Sequence, residues 1–211
     1  MFPSWSRCLV DVSVKELWNP SWPLRTGVDL AKKTRPGTVF FSTARNPVTG
    51  LFVPVEIVRG RFAGPQVLKQ MDAVWNRIGR LSHDFSFHVE DNGLQGWIFE
   101  WLESDSETSG KRYPWEKKIF PISTQGYNKN DPDSGLPSLE VEYNNGGWAI
   151  PFKEFKHHST ECDCGWCAWR RESASYPACF GDTVMGGWFS REGHSRKKKV
   201  GKWRRLSLKT V

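Results

Sequence analysis

Hydrophobic residues alternate with polar ones in three pairs of short segments, and each pair is separated by residues typical of turns. The pairs are 38–44 with 51–58, 85–90 with 97–102, and 139–143 with 148–152. Alternation with a period of two buries one face of a β-strand, and intervening Asn, Gly and Pro residues favour tight connections. We therefore predict three β-hairpins. Because Pro54 lacks a backbone donor, its strand is expected at the edge of a sheet.

A different period follows the first hairpin, where apolar residues recur every three or four positions from residue 65 to about residue 81. They form one stripe: Val67, Leu68, Met71, Val74, Trp75, Ile78 and Leu81. Gly64 is suited to the start of a helix and Pro65 to its first turn. The spacing predicts an amphipathic helix whose apolar stripe packs against the core.

These elements predict an α+β domain in which antiparallel hairpins pack against one amphipathic helix. The domain would span residues 1–155, followed by a small zinc knuckle over 156–190 and a flexible basic tail over 191–211. Residues 1–36 contain four prolines and no regular pattern, apart from a short strand or helical turn near residues 8–18. Residues 103–137 are polar and are predicted to be largely loop.

The composition excludes some classes of protein. With 38% hydrophobic and 14% aromatic residues in 211, the chain has enough apolar surface to form a core. It lacks an apolar run of about 18 residues, so no membrane contact is expected. The N-terminus shows no secretory signal, and the five cysteines are an odd number. These features favour a reducing compartment inside a cell over a disulfide-bonded secreted protein.

Histidines and cysteines cluster near the C-terminus and predict a zinc site. The expected ligands are His158, Cys162, Cys164 and Cys167, and His157 and Cys179 are alternatives; His194 is a further candidate for the fourth ligand. Thiolate and imidazole are the ligands that zinc selects, and a two-residue gap lets two sulfurs face one ion. Reduced cysteines in a Trp-rich core are the alternative. A redox role for 164–167 is disfavoured because no βαβ unit precedes that segment.

A basic C-terminal segment predicts contact with phosphates. Residues 191–211 contain nine basic residues and one acid, whereas the whole chain has a net charge of +7. Arg196, Lys197, Lys198 and Lys199 would form a nuclear import signal recognised by an importin. We expect nucleic-acid contacts from Trp166, Trp169, Arg170, Arg171, Lys197, Lys198, Lys199, Lys202, Trp203, Arg204 and Arg205. The tryptophans near the cysteines, with Trp188, could instead only cover the metal.

Signals for enzymatic chemistry are few, so a non-enzyme is expected. His88 and Glu90, with Cys164 and Cys167, share residue types with zinc nucleobase deaminases, but the span between them is too long and Asp163 replaces a proline. A Cys–His hydrolase built on Cys8 or Cys179 with His83 or His88 has no local signature. Phosphate-binding and dinucleotide-binding loops are absent from the sequence.

The sequence resembles two groups of viral accessory proteins. Trp148 followed by His158-x3-Cys162-x-Cys164 is similar to a motif of small non-structural proteins of anelloviruses and gyroviruses, Trp-x7-His-x3-Cys-x-Cys-x5-His. It departs from that motif in the tryptophan spacing, which is nine residues, and at Arg170, where the last histidine would stand. The Cys164-x2-Cys167 knuckle with adjacent Trp and Arg-Arg also resembles auxiliary nuclear nucleoproteins of parvoviruses.

Both resemblances imply a viral accessory protein that acts in the host nucleus after synthesis in the cytoplasm. Together with the residues above, they predict a regulatory protein that binds DNA or RNA through a zinc knuckle and a basic tail. The alternative is a protein–protein adaptor that antagonises a host factor, with a tail that serves only nuclear import.

Overall fold

A five-stranded mixed sheet forms the centre of the computed structural model, which describes residues 2–30, 37–91, 95–123, 135, 137–155, 162, 164–174 and 182–195. The strands are β1 (Leu9–Val10), β2 (Leu24–Asp29), β3 (Thr38–Arg45), β4 (Phe52–Gly60), β5 (Phe85–Asp91), β6 (Ile119–Ser123) and β7 (Ile150–Pro151). The α-helices are α1 (Val14–Leu17), α2 (Gly64–Arg77), α3 (Gln95–Ser109), α4 (Ser138–Asn144), α5 (Gly165–Ala174) and α6 (Asp182–Ser195). None of the described helices is long and apolar enough to span a membrane.

The main sheet has the strand order β4-β3-β2-β5-β6. Strand β3 is antiparallel to β2 and β4, whereas β5 is parallel to both β2 and β6. Strands β1 and β7 form a separate two-residue parallel ladder. Helices cover both faces of the main sheet, so its central strands are buried on two sides, as is usual for parallel strands.

The first predicted hairpin and the predicted helix are confirmed. Strands β3 and β4 pair antiparallel, and Pro54 lies on β4, which is an edge strand of the sheet. The register of this pairing shifts between Ser42 and Thr43, and Thr43 is the residue that pairs with Pro54. Helix α2 starts at Gly64 and buries Val67, Leu68, Met71 and Val74, but it ends at Arg77, and Leu81, the last residue of the predicted stripe, lies beyond it and is 46% exposed. These elements depend on neighbours close in sequence.

The second and third hairpins are wrong, and the sheet is mixed rather than largely antiparallel. Residues 97–102 lie in α3 and residues 139–143 lie in α4. In α3, the buried Ile98 and Leu102 are four positions apart, and the residues between them include the exposed Phe99 and Glu100. That spacing is helical, and a short apolar run does not distinguish a helix from a strand. The α+β class is confirmed, but the described residues contain several helices instead of one.

Each face of the main sheet carries its own hydrophobic cluster. Helices α2 and α3 cover one face, where Val28 and Val89 point into a cluster with Met71 and Ile98. On the other face Phe41 packs with Phe189 of α6 in a cluster that also contains residues of the N-terminal segment, α4 and α5. The predicted boundaries at 155/156 and 190/191 remain predictions.

Helix α6 lies directly on β2 because Gly27 has no side chain. A Cβ atom at Gly27 would lie 2.1 Å from the backbone oxygen of Gly186 and 2.5 Å from the nitrogen of Ser190. Ser190 Oγ donates a hydrogen bond of 2.8 Å to the carbonyl oxygen of Arg25. This close approach fixes the helix over β2 and β3, and it determines which strand residues lie beside the start of α6.

Candidate functional site

Two acidic residues lie side by side where parallel strands β2 and β5 end. Val28 and Val89 are the last registered pair of these strands, and Asp29 and Glu90 are the residues that follow them. The two valines belong to the cluster on the α2 face, and side chains alternate along a strand. Asp29 and Glu90 therefore both project from the opposite face, which α6 covers.

Both carboxylates are buried: Asp29 is 4% exposed and Glu90 is 6% exposed. Neighbouring strands are about 4.8 Å apart, so these like charges are held close together where little water reaches them. Such a pair is costly unless a cation or a proton compensates it. Carboxylate oxygens are the ligands that hard divalent ions such as Mg²⁺ and Mn²⁺ prefer, so this donor set fits such an ion.

The first residue of α6, Asp182, is also acidic and lies at this end of the sheet. Helix α6 runs antiparallel to β2: His194 contacts the carbonyl of Thr43 at one end, and Gly186 approaches Val39 at the other. Val39 pairs with Asp29. Asp182 precedes Gly186 by four positions, which is about one helical turn along the backbone of α6. The backbone of α6 thus begins near the two strand carboxylates.

Sequence reasoning missed this site. The sequence predictions include Glu90 only with His88, as part of a deaminase pattern, and they do not include Asp29 or Asp182. The available signal was an acid at the end of each of two hydrophobic strands, but β2 lies between prolines in a region that shows no clear pattern. His88 is buried, shares a hydrogen bond of 2.9 Å with Ser86, and stacks on Phe120. These contacts give His88 a packing role within β5.

The structure brings three of the predicted metal ligands together. The sulfur atoms of Cys162, Cys164 and Cys167 lie within 4.8 Å of one another at the start of α5. Within the described ranges, no fourth histidine, cysteine or carboxylate joins them. His157, His158 and Cys179 lie outside the described residues. His194 is not part of the group, because it is hydrogen-bonded to Thr43 at the far end of α6.

The three thiols differ in their electrostatic environment. A hydrogen bond from the backbone N–H of Cys164 lowers the pKa of Cys162. Burial raises the pKa of Cys167 to about 12. Arg171 donates a hydrogen bond to the carbonyl oxygen of Cys162. Gly165 packs against Ile57, since a Cβ atom there would lie 2.4 Å from the Ile57 oxygen. The thiol group therefore lies where α5 meets β4.

The residues that are predicted to contact nucleic acid differ in their exposure to solvent. Trp169 is 1% exposed and its ring contacts Phe41, so it is not available to stack on a base in this structure. Trp166 is half-buried against Phe155. Arg170 and Arg171 are exposed. Residues 196–211, which contain the predicted import signal and the other basic contacts, lie outside the described residues, so those roles remain predictions.

Comparisons with known proteins find similarity in structure but not in sequence. No protein-family model matches the chain. No curated protein matches it either. The terminase nuclease domain of human cytomegalovirus, Mn-soaked and inhibitor-bound, has a TM-score of 0.56 at 10% identity, covering 90% of this chain and 92% of that one.

Two further structures agree with this likeness. Another structure of the human cytomegalovirus terminase nuclease domain has a TM-score of 0.55 at 12% identity, covering 90% of this chain and 92% of that one. The g2p large terminase nuclease domain of bacteriophage SPP1, with bound Mn, has a TM-score of 0.52 at 11% identity, with 88% and 95% covered. At these identities the comparison establishes the fold that the chain shares with these domains.

This likeness corrects four expectations. The resemblance to parvovirus, anellovirus and gyrovirus proteins is wrong, because the motif covers few residues, whereas the shared fold covers most of the chain. The expectations of a nuclear accessory protein or a host-factor adaptor, and of a non-enzyme, are wrong because the fold is shared with nuclease domains. The zinc expectation is also wrong: the SPP1 structure has bound Mn and one cytomegalovirus structure is Mn-soaked, and the described thiols supply three ligands where a structural zinc needs four.

Proposed function

We propose that this chain is a metal-dependent nuclease domain that cuts DNA, as a large terminase nuclease does. The observation that carries the proposal is the pair of buried carboxylates, Asp29 and Glu90, on adjacent parallel strands beside the start of α6. The likeness to terminase nuclease domains supports it, because the chain shares their fold over most of its length. Nucleic acid is thereby the expected partner.

Asp29 and Glu90 would hold divalent metal ions, with Asp182 as a third carboxylate. When bound, such ions supply a reactive water at neutral pH and neutralise charge on the phosphoryl oxygens. The protein contributes rigid positions, because Asp29 is paired with Val39 and Glu90 with Ile122 within the sheet, whose two faces are both packed. An acid in the first turn of a helix is also favoured by the helix dipole, which suits Asp182 to its position.

The burial of Asp29 and Glu90 also has a chemical consequence. Since both side chains are shielded from water, their charges attract a bound cation more strongly than exposed carboxylates would. The same charges repel each other when no cation is present. The domain should therefore be more stable with Mn²⁺ or Mg²⁺ than without either ion.

Cleavage of plasmid DNA tests this proposal. The purified chain should cut supercoiled DNA with Mn²⁺ or Mg²⁺ and should not cut it when EDTA is present. Glu90→Gln should reduce the rate at least about 100-fold, since the amide is a poorer ligand for a hard cation. Mn²⁺ should raise the melting temperature of the wild-type chain but not of Glu90→Gln.

Glu107→Gln is the matched control, because Glu107 is an exposed glutamate on α3. It should cleave DNA and respond to Mn²⁺ as the wild type does. Cleavage that persists in EDTA, or a Glu90→Gln variant with wild-type activity, would show that the carboxylate edge is not the active site.

A further inference from the structure

The thiol group at the start of α5 is not used by the proposed nuclease reaction. Cys162 and Cys164 are half-buried, and Cys167 is buried. The three sulfur atoms lie within 4.8 Å of one another. Thiols that are close together and partly accessible to solvent are the ones that small oxidants convert to disulfides. The arrangement of the sulfurs therefore suits reversible oxidation.

The first turn of α5 holds two of these thiols side by side. The backbone N–H of Ala168 donates a hydrogen bond of 2.9 Å to the carbonyl oxygen of Cys164, so Cys164 is the residue that caps the start of the helix. Cys167 follows three positions later, within the first turn. Residues three apart are neighbours on a helix surface. Both thiols can thus reach the sulfur of Cys162 from a fixed backbone.

Cys162 is the thiol that is best suited to react first. Its sulfur accepts a hydrogen bond of 3.5 Å from the backbone N–H of Cys164, and Arg171 donates to its carbonyl oxygen. A hydrogen-bond donor and a cation close to a sulfur favour the thiolate, which is the form that peroxides oxidise. Cys8 differs, because it is 3% exposed and its thiol donates to the carbonyl oxygen of Tyr143.

We propose that the thiol group is a site of reversible oxidation by peroxides, at which Cys162 forms a disulfide with Cys164 or Cys167. The absence of a βαβ unit disfavours a dithiol oxidoreductase that acts on other proteins. It does not affect this proposal, because the oxidant is a small molecule that reaches the partly exposed sulfurs by diffusion.

The oxidation takes place in two steps. The Cys162 thiolate attacks one oxygen of hydrogen peroxide, the O–O bond breaks and hydroxide leaves, so that Cys162 becomes a sulfenic acid. A neighbouring thiol then loses its proton and attacks that sulfur. The S–S bond forms, the S–O bond breaks, and the oxygen leaves as water. In total, a pair of thiols is oxidised and the peroxide is reduced to water.

Peptide mapping by mass spectrometry tests the proposal on the full chain. Cys179→Ser is the parent protein, because it removes the cysteine that lies outside the described residues. In dilute hydrogen peroxide the parent should lose about 2 Da, the mass of the hydrogens removed, and dithiothreitol should reverse the change. The disulfide should link Cys162 to Cys164 or Cys167, and Cys8 should stay reduced.

Cys162→Ser in the parent tests which thiol reacts first. It should be oxidised at least about tenfold more slowly, because the favoured thiolate is missing. Cys8→Ala is the matched control and should be oxidised at the parent rate. A parent chain that stays reduced, a disulfide that includes Cys8, or Cys162→Ser that is oxidised at the parent rate overturns the proposal. None of these readouts depends on DNA cleavage, so the result is independent of the proposed nuclease function.

Discussion

Replacing Asp29 by Asn is expected to reduce the rate of DNA cleavage about 1000-fold, because the change removes one charged ligand while it keeps the shape of the side chain. Asp29 is almost completely buried on the central strand. It is the one acidic residue of β2, so no other carboxylate on that strand can substitute for it. The variant should still fold. Without divalent ions it should melt at or above the wild-type temperature, since the repulsion between Asp29 and Glu90 is removed.

The matched control for this change is Asp11→Asn, which neutralises an exposed aspartate near the N-terminus. It should cleave DNA at the wild-type rate and keep the full rise in melting temperature on addition of Mn²⁺. Thermal melts with and without Mn²⁺ and cleavage rates on one plasmid substrate provide both readouts. An Asp29→Asn variant that melts normally and cuts at the wild-type rate would exclude Asp29 from the active site.

Replacing Trp169 by Ala is expected to lower the free energy of unfolding by about 3–5 kcal/mol, the usual cost of a large cavity in a core. The Trp169 ring lies 5.0 Å from the ring of Phe41 and 5.9 Å from that of Trp5, between centroids. It thereby joins the sheet, α5 and the N-terminal segment in one cluster. The loss of these contacts should separate α5 from the sheet before the rest of the domain unfolds.

Trp97→Ala is the matched control, because Trp97 lies on α3 and is 50% exposed. When both variants are unfolded in urea titrations, Trp97→Ala should cost less than about 1 kcal/mol, since little buried area is lost. The comparison also tests the prediction from the sequence that Trp169 contacts nucleic acid. Equal stabilities for the two variants would show that Trp169 is not packed in the core as described.

The parts of the fold that depend on neighbours close in sequence could be predicted. Strands β3 and β4 are joined by a short turn, and α2 carries its own apolar stripe and its own start signals. In both cases the pattern of residues within about 20 positions determines the structure. The residues of α3 show the limit, because the exposed Trp97 and Phe99 make its sequence as apolar as a strand.

Strand β2 could not be predicted because its partners are distant in the chain. It pairs with β3 on one side and with β5, about 60 residues later, on the other. Its sequence also includes Gly27, which is unfavourable in an isolated strand and is needed here because α6 lies against it. The central position of β2 follows from contacts made by the whole fold.

The candidate site was missed for a related reason. The cysteines could be identified as candidate ligands because they are close in sequence, and three of them are also close in space. Asp29, Glu90 and Asp182 are separated by 60 residues or more at each step, and they belong to the same edge only after the strands pair and α6 packs. The thiol group can therefore be found from sequence spacing alone. The carboxylates can be found only from their positions in the folded chain.

Anomalous diffraction from crystals soaked in Mn²⁺ tests the metal-dependent carboxylate site most directly. We expect a manganese peak beside the carboxylates of Asp29 and Glu90, and the loss of that peak in crystals of Asp29→Asn. Manganese bound only at Cys162, Cys164 and Cys167, or no peak at the carboxylates in well-ordered wild-type crystals, would contradict the assignment of this edge as the active site.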